Sequence, residues 1–397
     1  MVPQAAPSTS GNAVRMQPPR AGVRTVWLAL AAVVLAGLSG CASTMYLLQA
    51  ANGEWHVMHG RRPIVDVIDD PQTPEPLIRE LSDVREARRF ASERLGLPDN
   101  DSYRTYVNIG RRYVVWNVVA APQFSVKPKQ WCFPIAGCVA YRGYFNEKSA
   151  QRFAKYLKRR GYDVVVEGVP AYSTLGRLPD PVMSSMMRYG SDELAAMIFH
   201  ELAHQLLYVR NDSRFDEAFA MTVENEGMKR WLEFRHKPQR FARFEREGEA
   251  DRRFADLLRR ARDRLATVYA SGIAHQRMLR EKKAVFSRLA QRIRALEHHL
   301  GLRSPLYDHW IAAGLNNADL ASVGTYYDCL PGFERLLGRE GGNLPRFYAA
   351  ARRLAKEPED ERDARLCRRD RLTGIRASPA AQSPRAAHRA PASAPSP

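Results

Sequence analysis

One stretch near the middle of the chain, FHELAHQLLY at 199–208, constrains the fold more than any other. Its apolar residues recur at steps that place them on one side of a helix beginning near Ser191. The stripe consists of Leu194, Ile198, Leu202 and Leu206, broadened by Ala195 and Phe199. At about 100° per residue, His200 and His204 lie one above the other, on a face that points away from the stripe. The pattern predicts a helix anchored in a core, with two imidazoles stacked on another face.

The histidine pair has the spacing of a metal site. Two neutral imidazoles one helical turn apart can bind one tetrahedral zinc ion through their ring nitrogens. Glu201 lies beside His200 and could accept a proton from a water molecule held at that ion. These residue types predict a zinc site with His200 and His204 as ligands and Glu201 as general base.

A third ligand has to come from another segment, and VRNDSRFDEAFAMTVENEG at 209–227 offers two carboxylates. The segment breaks at 211–213 and then has the pattern of a second helix that ends at Gly227. Glu217 and Glu224 are seven residues apart and share a face of that helix. One of them could complete the metal site and the other could orient a histidine by a hydrogen bond. Spacing leaves both assignments open.

Together, HELAHQ and DEAFAMTVE resemble the gluzincin aminopeptidases, the alanyl-aminopeptidase and leukotriene-hydrolase type. The resemblance implies His200, His204 and Glu217 as zinc ligands, with Glu201 as base and Glu224 as support for a ligand. This chain departs from that pattern in two ways. Asp216 stands where the pattern has Asn, and the loop between the two helices is shorter. Glu224 therefore remains an alternative third ligand.

Further segments, at 131–145, 171–185 and 316–333, extend the resemblance over most of the chain after residue 41. Together they resemble a family of bacterial lipoproteins that are labelled predicted aminopeptidases. The resemblance implies one zinc ion, a peptide substrate and an α+β architecture. In that architecture, a small α/β lobe precedes a mainly helical gluzincin-type zinc-peptidase domain.

Zinc peptidases of this kind generally align the substrate along an edge strand by main-chain hydrogen bonds. AYSTLG at 171–176 is the candidate strand, because it is short, β-prone and directly precedes the motif helix; an ordinary strand end or a buried loop is the alternative. The candidate substrate-binding residues are Tyr172, Ser173, Thr174, Leu175 and Gly176. The Gly-x-Met-Glu-Asn element that holds a free amino terminus in the large aminopeptidases is absent upstream of His200.

An oxyanion donor is also required, and related enzymes use a tyrosine on a later helical segment. Tyr326 or Tyr327 in GTYYD could supply that hydroxyl, or both could be packed aromatic residues. The competing functions are an envelope endopeptidase and a zinc-stabilised scaffold or peptide-binding lipoprotein that does no chemistry. An intact Glu201 argues against the scaffold, since a structural site needs no base.

The amino terminus determines the expected compartment. Three arginines within the first 24 residues lead into a short apolar run, which predicts a signal peptide over 1–40. LSGC at 38–41 resembles the bacterial lipobox, which implies acylation of Cys41; a plain signal peptide or an uncleaved anchor is the alternative. Ala42 stands where Asp would favour the inner membrane. We therefore expect a lipid-anchored envelope protein that faces the periplasm, at the outer membrane.

The remaining chain divides into an expected α+β lobe at 41–190, a helical domain at 191–375 and a disordered tail at 376–397. The lobe should contain a helix near 75–95, a strand at 113–122, a helix from Asn146 to Gly161 and a strand at 162–169. Residues 239–300 should form a long charged helical hairpin, broken near 269–275.

Cysteine spacing and charge complete the sequence picture. Cys132 and Cys138 are expected to form a local disulfide in an oxidising compartment; a zinc knuckle is the alternative, but no second Cys or His pair accompanies it. Cys329 and Cys367 could pair or stay free.

The net charge of +18 is spread over helical segments and both termini rather than one basic-aromatic patch. It therefore favours solvated helix faces and an anionic membrane surface over nucleic acid as partner. The oligomeric state does not follow from the sequence.

Overall fold

The computed structural model describes residues 45–133, 137–300, 305–321 and 329–367. The chain divides into two compact units, residues 1–51 and residues 52–397. In the first unit, residues 45–51 are described and are helical. Cys41, Tyr326 and Tyr327 lie outside the described residues. Within the described ranges, no helix combines the length and apolar character that a bilayer crossing requires.

The described elements include both helices and strands up to residue 183 and are helical from residue 187 onward. The helices of the first part are α1 (45–59), α2 (Ile64–Ile68), α3 (Glu75–Glu93) and α4 (Glu147–Arg159). Its strands are β1 (Arg62–Pro63), β2 (Thr105–Val107), β3 (Val115–Pro122), β4 (Trp131–Phe133), β5 (Gly137–Val139), β6 (Tyr141–Tyr144), β7 (Tyr162–Val169) and β8 (Val182–Met183). The later helices are α5 (Ser191–Leu206), α6 (Ser213–Phe234), α7 (Gln239–Ala270), α8 (His275–His299), α9 (Pro305–Ala312), α10 (Asn317–Ala321), α11 (Leu330–Arg339), α12 (Leu344–Leu354) and α13 (Glu359–Leu366). The mixed α+β class is confirmed.

Three small sheets lie in the first part. β3 is the central strand of an antiparallel sheet, between β6 and β7. A second sheet has the order β1-β2-β8, with β2 and β8 parallel. β4 and β5 pair as a hairpin that the Cys132–Cys138 disulfide closes. A second disulfide joins Cys329 to Cys367, so the start of α11 is tied to the end of α13.

One hydrophobic core continues across residue 190, where the sequence suggests a domain boundary. It takes side chains from α3, from β2 and from the helices α5, α6, α11 and α12. Phe199 and Phe219, both without exposed surface, lie at its centre, and Phe219 stacks on Phe347 at a centroid distance of 5.6 Å. The helices that carry the candidate site, α5 and α6, are therefore both anchored in this core.

Two long helices, α7 and α8, pack on each other through a separate core. The residues of that core include Phe254, Leu258, Leu265, Phe286, Leu289 and Ile293. The link between the helices, residues 271–274, contains Gly272 at a φ of +69°, which a glycine adopts without steric cost.

The expected end of the second site helix at Gly227 is wrong, because α6 continues to Phe234. Gly227 is instead a point of close approach inside the helix. A Cβ there would lie 2.9 Å from Leu95 and 3.0 Å from Phe199. A glycine is required here because two core side chains lie against the backbone. In the sequence, this glycine resembles one that ends a helix.

Candidate metal centre

Helix α5 carries the HELAH motif and is buried along most of its length. Its stripe residues Leu194, Ile198 and Leu202 have no exposed surface. Their contact with the core leaves His200 and His204 on an adjacent face, where they are 2% and 6% exposed. The helix ends at Leu206, because the next residue is extended at a φ of −149°. The amphipathic pattern therefore places both imidazoles in the interior.

The turn between α5 and α6 is short and is stabilised by two aspartates. Asp212 caps α6, accepting a hydrogen bond from the backbone N–H of Phe215 at 3.1 Å. Asp216 Oδ1 accepts from the N–H of Val209 at 2.7 Å. Burial raises the pKa of Asp216 well above its ordinary value. Its carboxyl group thus serves the short turn that brings α6 back alongside α5.

Glu217 reaches both histidines from α6. Its Oε2 lies 3.3 Å from His200 Nε2, and its Oε1 lies 3.7 Å from His204 Nε2. The two Nε2 atoms are 3.1 Å apart. The ligating atoms of the three residues all lie within 4.8 Å of one another, and Glu217 is 5% exposed. The structure therefore brings His200, His204 and Glu217 together as one buried group.

The polar atoms of this group fit a divalent cation. Glu217 Oε2 is buried and has no hydrogen-bond partner among the described residues, although such an atom is costly to leave unsatisfied. Two imidazole nitrogens directed at each other can share only one proton, or they can both donate lone pairs to a cation. Two imidazoles and one carboxylate form the donor set of catalytic zinc sites, which leave one coordination position open.

Glu224 contacts the opposite side of the first histidine. His200 Nδ1 lies 3.0 Å from Glu224 Oε2, and Glu224 is 2% exposed. Burial lowers the pKa of His200, but the carboxylates of Glu217 and Glu224 outweigh it and raise that pKa to about 10. Once the Nε2 proton is lost, the Nδ1 proton is directed at Glu224 and the Nε2 lone pair faces Glu217 and His204. The two assignments that spacing leaves open are thus separated by geometry: Glu217 lies inside the cluster, and Glu224 lies behind His200.

Glu201 and Gln205 share a face of α5, one turn apart, and two loops cover Gln205. Asn100 Nδ2 donates to Gln205 Oε1 at 2.7 Å, and Gln205 Nε2 donates to Ser102 Oγ at 3.3 Å. A Cβ on Gly176 would lie 3.3 Å from the Gln205 side chain. Glu201 is partly exposed, unlike the histidines on either side of it. The general-base candidate therefore lies at the edge of the buried group, next to a wall built by both loops.

The expected edge strand at 171–176 is wrong, because this segment is a loop without strand pairing. Its residues turn around Asp180, which accepts from the N–H of Thr174 at 3.1 Å and from Ser173 Oγ at 3.2 Å. Leu175 has a φ of +56°, and its N–H donates to Ser173 Oγ at 3.1 Å. Because internal acceptors use these N–H groups, the loop offers few donors to an added strand.

Two residues that the sequence reasoning missed lie near Glu201. Burial raises the pKa of Tyr103, and the charges of Glu201 and Asp180 raise it further. Tyr103 is 3% exposed, has a φ of +62°, and donates its N–H to Asp180 O at 2.7 Å. Burial also raises the pKa of Asp180, to about 6, against the hydrogen bonds it accepts. Tyr103 belongs to no motif, and Asp180 lies in the 171–185 segment without a role that the sequence assigns, so the folded contacts identify both.

A buried histidine pair on one helix and a glutamate on the next define a candidate metal-dependent protein. A family model described as "Putative aminopeptidase" matches residues 45–366. The chain belongs to this family, and the description indicates a peptidase. Neither the curated proteins nor the solved structures contain a match.

Proposed function

We propose that this protein is a zinc-dependent metallopeptidase of the gluzincin type that acts as an aminopeptidase on peptides in the cell envelope. The observation that carries the proposal is the convergence of His200, His204 and Glu217 in the interior, with Glu201 beside them. Membership of the family supports the peptidase class. A structural zinc site would close all four positions and would not need the adjacent carboxylate.

Each residue of the group has a distinct task. His200, His204 and Glu217 would hold the ion, and Glu224 would fix the tautomer of His200 through its Nδ1. Bound zinc supplies Lewis-acid activation of a carbonyl group and of a water molecule. Glu201 accepts the proton of the attacking water and returns it to the leaving amine. Gln205 holds the loop of Asn100 and Ser102 by hydrogen bonds, and Gly176 of the second loop packs against its side chain.

The test of this assignment is Glu201→Gln. We expect zinc content close to that of the parent protein, because Glu201 is not a ligand, and a loss of peptide hydrolysis on the order of a thousandfold. Glu193→Gln, two turns earlier on the same helix, is the matched control and should keep both properties. A Glu201→Gln protein that hydrolyses peptides at the parent rate would remove the catalytic assignment.

The aminopeptidase assignment depends on the family and is tested with paired peptides. We expect hydrolysis of peptides with a free α-amino group and little hydrolysis of the same peptides after acetylation. Equal turnover of both forms would favour the endopeptidase.

Tyr326→Phe and Tyr327→Phe test the oxyanion donor, and one of the two should lower turnover by about a hundredfold while zinc stays bound.

We also propose acylation at Cys41 and a periplasmic location. Two disulfides in the described chain support an oxidising compartment, because such bonds are rare in the cytosol. Incorporation of labelled fatty acid into the parent protein, but not into Cys41→Ser, is the expected result. Label in both proteins would place the modification elsewhere.

A further inference from the structure

Helix α4 carries a concentrated positive charge. Between residues 147 and 160 there are six basic residues and one carboxylate, Glu147. The six are Lys148, Arg152, Lys155, Lys158, Arg159 and Arg160, and all are exposed. We call these six residues the basic face. The other side of the helix is apolar, with Ala150, Ala154 and Leu157 buried against the β3 sheet.

In the part of the chain that the structure describes, no acid compensates the charge of the basic face. Among the described residues, none of its six side chains forms an ion pair. On α7, by contrast, Arg243, Arg252 and Arg253 are paired with carboxylates three or four residues away. The field of the basic face is therefore directed outward into solvent, where it attracts polyanions.

Aromatic side chains lie next to these cations. The ring of Phe153 stacks on Tyr156 at 6.0 Å and lies 6.3 Å from Trp131 of the β4–β5 hairpin. Tyr156 is 39% exposed, and the Arg160 guanidinium lies 4.5 Å from the centre of its ring. Tyrosine and tryptophan favour the boundary between lipid and water, since one part of the side chain is apolar and another is polar.

The compartment decides which polyanion the surface meets. The two disulfides indicate an environment outside the cytosol, where lipid headgroups are abundant and a genome is normally absent. We propose that the basic face, with Tyr156 and Trp131 beside it, docks on an anionic phospholipid bilayer. The cations bind headgroup phosphates, while Tyr156 enters the interfacial layer. The chain thereby rests on the membrane by a second contact that is independent of any acyl chain.

The test is partitioning of the full chain carrying Cys41→Ser, so that no acyl chain contributes. Binding is measured on vesicles of phosphatidylcholine containing phosphatidylglycerol and on vesicles of phosphatidylcholine alone. Each cation near such a surface contributes about fivefold in affinity, so three neutralised cations should lower anionic-vesicle binding on the order of a hundredfold. The triple variant is Lys155→Gln, Lys158→Gln and Arg159→Gln. All variants contain the same amino-terminal segment, so its contribution to vesicle binding is the same in each of them.

The matched control neutralises three exposed arginines of α12, Arg346→Gln, Arg352→Gln and Arg353→Gln, and so changes the net charge equally. It should bind anionic vesicles within about twofold of the parent. An equal loss in both variants would mean that net charge, not the basic face, governs binding, and would overturn the proposal. So would unchanged binding of the α4 variant. Tight binding to single-stranded RNA with weak binding to vesicles would overturn it in favour of a nucleic-acid partner.

Discussion

The helix pair α5–α6 and the helix pair α7–α8 both carry many charged residues, but they hold them differently. In the first pair, His200, Glu217 and Glu224 are 2–5% exposed and contact one another. In the second, charges such as Arg253 and Glu249 are 47% and 42% exposed and pair along one helix. Exposed pairs contribute little, whereas buried charges are costly unless their partners are well placed. Burial of charge, not its amount, therefore distinguishes the candidate site.

The largest effect should come from removing the arginine of a buried ion pair. Arg362 Nη2 lies 2.6 Å from Asp212 Oδ2, and the residues are 7% and 5% exposed. We expect Arg362→Met to lower the free energy of unfolding by about 3–5 kcal/mol, because Asp212 would remain buried without its cation. Denaturant unfolding measures the change. A loss below about 1 kcal/mol would remove the energetic contrast between the two helix pairs.

Metal affinity should fall next. Glu217→Gln removes one of three ligands and should weaken zinc binding on the order of a thousandfold. Glu224→Gln alters only the partner of His200 and should weaken it by about 10–100-fold. Competition with a chelator measures both affinities. The opposite ranking would transfer the ligand role to Glu224.

Glu167 on β7 is a half-buried carboxylate, and its ionisation should cost the folded state about 3 kcal/mol at high pH. Burial raises the pKa of Glu167 to about 7, and the charge of Asp319 adds to the increase. The folded state therefore binds this proton more tightly than the unfolded state does. The loss of folding stability is absent at pH values below the pKa of the unfolded state, and it is complete above about pH 7. Glu167→Gln should be more stable than the parent at alkaline pH and equally stable at acidic pH.

Glu249→Gln is the control for that experiment, since hydrogen bonds from Arg253 and Arg252 lower the pKa of Glu249. The ionised Glu249 adds a small amount to folding stability at pH values above its unfolded-state pKa, and this amount is lost as the pH falls. Glu249→Gln should therefore be no more stable than the parent at alkaline pH. A Glu167→Gln protein with the stability of the parent at every pH would contradict the cost assigned to its burial.

The smallest effect should come from the surface of α7. Arg253→Met removes an exposed ion pair to Glu249 at 2.8 Å and should change the free energy of unfolding by less than about 1 kcal/mol. Arg253→Met and Arg362→Met thus make the same substitution in an exposed ion pair and in a buried one. Similar losses for the two variants would show that burial does not separate them.

Much of the candidate metal centre follows from the sequence because helices repeat locally. The phase of the apolar stripe fixes the direction of His200 and His204, and Asn146 caps α4 where the pattern predicts it, accepting from Ser149 N at 3.0 Å. The seven-residue step between Glu217 and Glu224 predicts a common face. It does not predict which carboxylate lies inside the cluster, because that depends on how α6 packs against α5.

The errors arise where contacts between distant segments override local signals. Gly227 resembles a helix end but serves close packing against Leu95 and Phe199. The segment at 171–176 has β-prone residues, yet Asp180 binds its Ser173 and Thr174 groups and turns the chain. Tyr103 lacks a local signal altogether, since its place near Glu201 depends on the fold.

The claim on which the proposed function depends is that His200, His204 and Glu217 share one metal ion. A crystal structure of the zinc-loaded protein, with anomalous data on both sides of the zinc absorption edge, tests it most directly. We predict one strong anomalous peak at about 2.0–2.2 Å from both Nε2 atoms and from a Glu217 oxygen, with Glu224 bonded only to His200 Nδ1. Zinc-saturated crystals with no peak among these three residues, or with the peak on other ligands, would contradict the account.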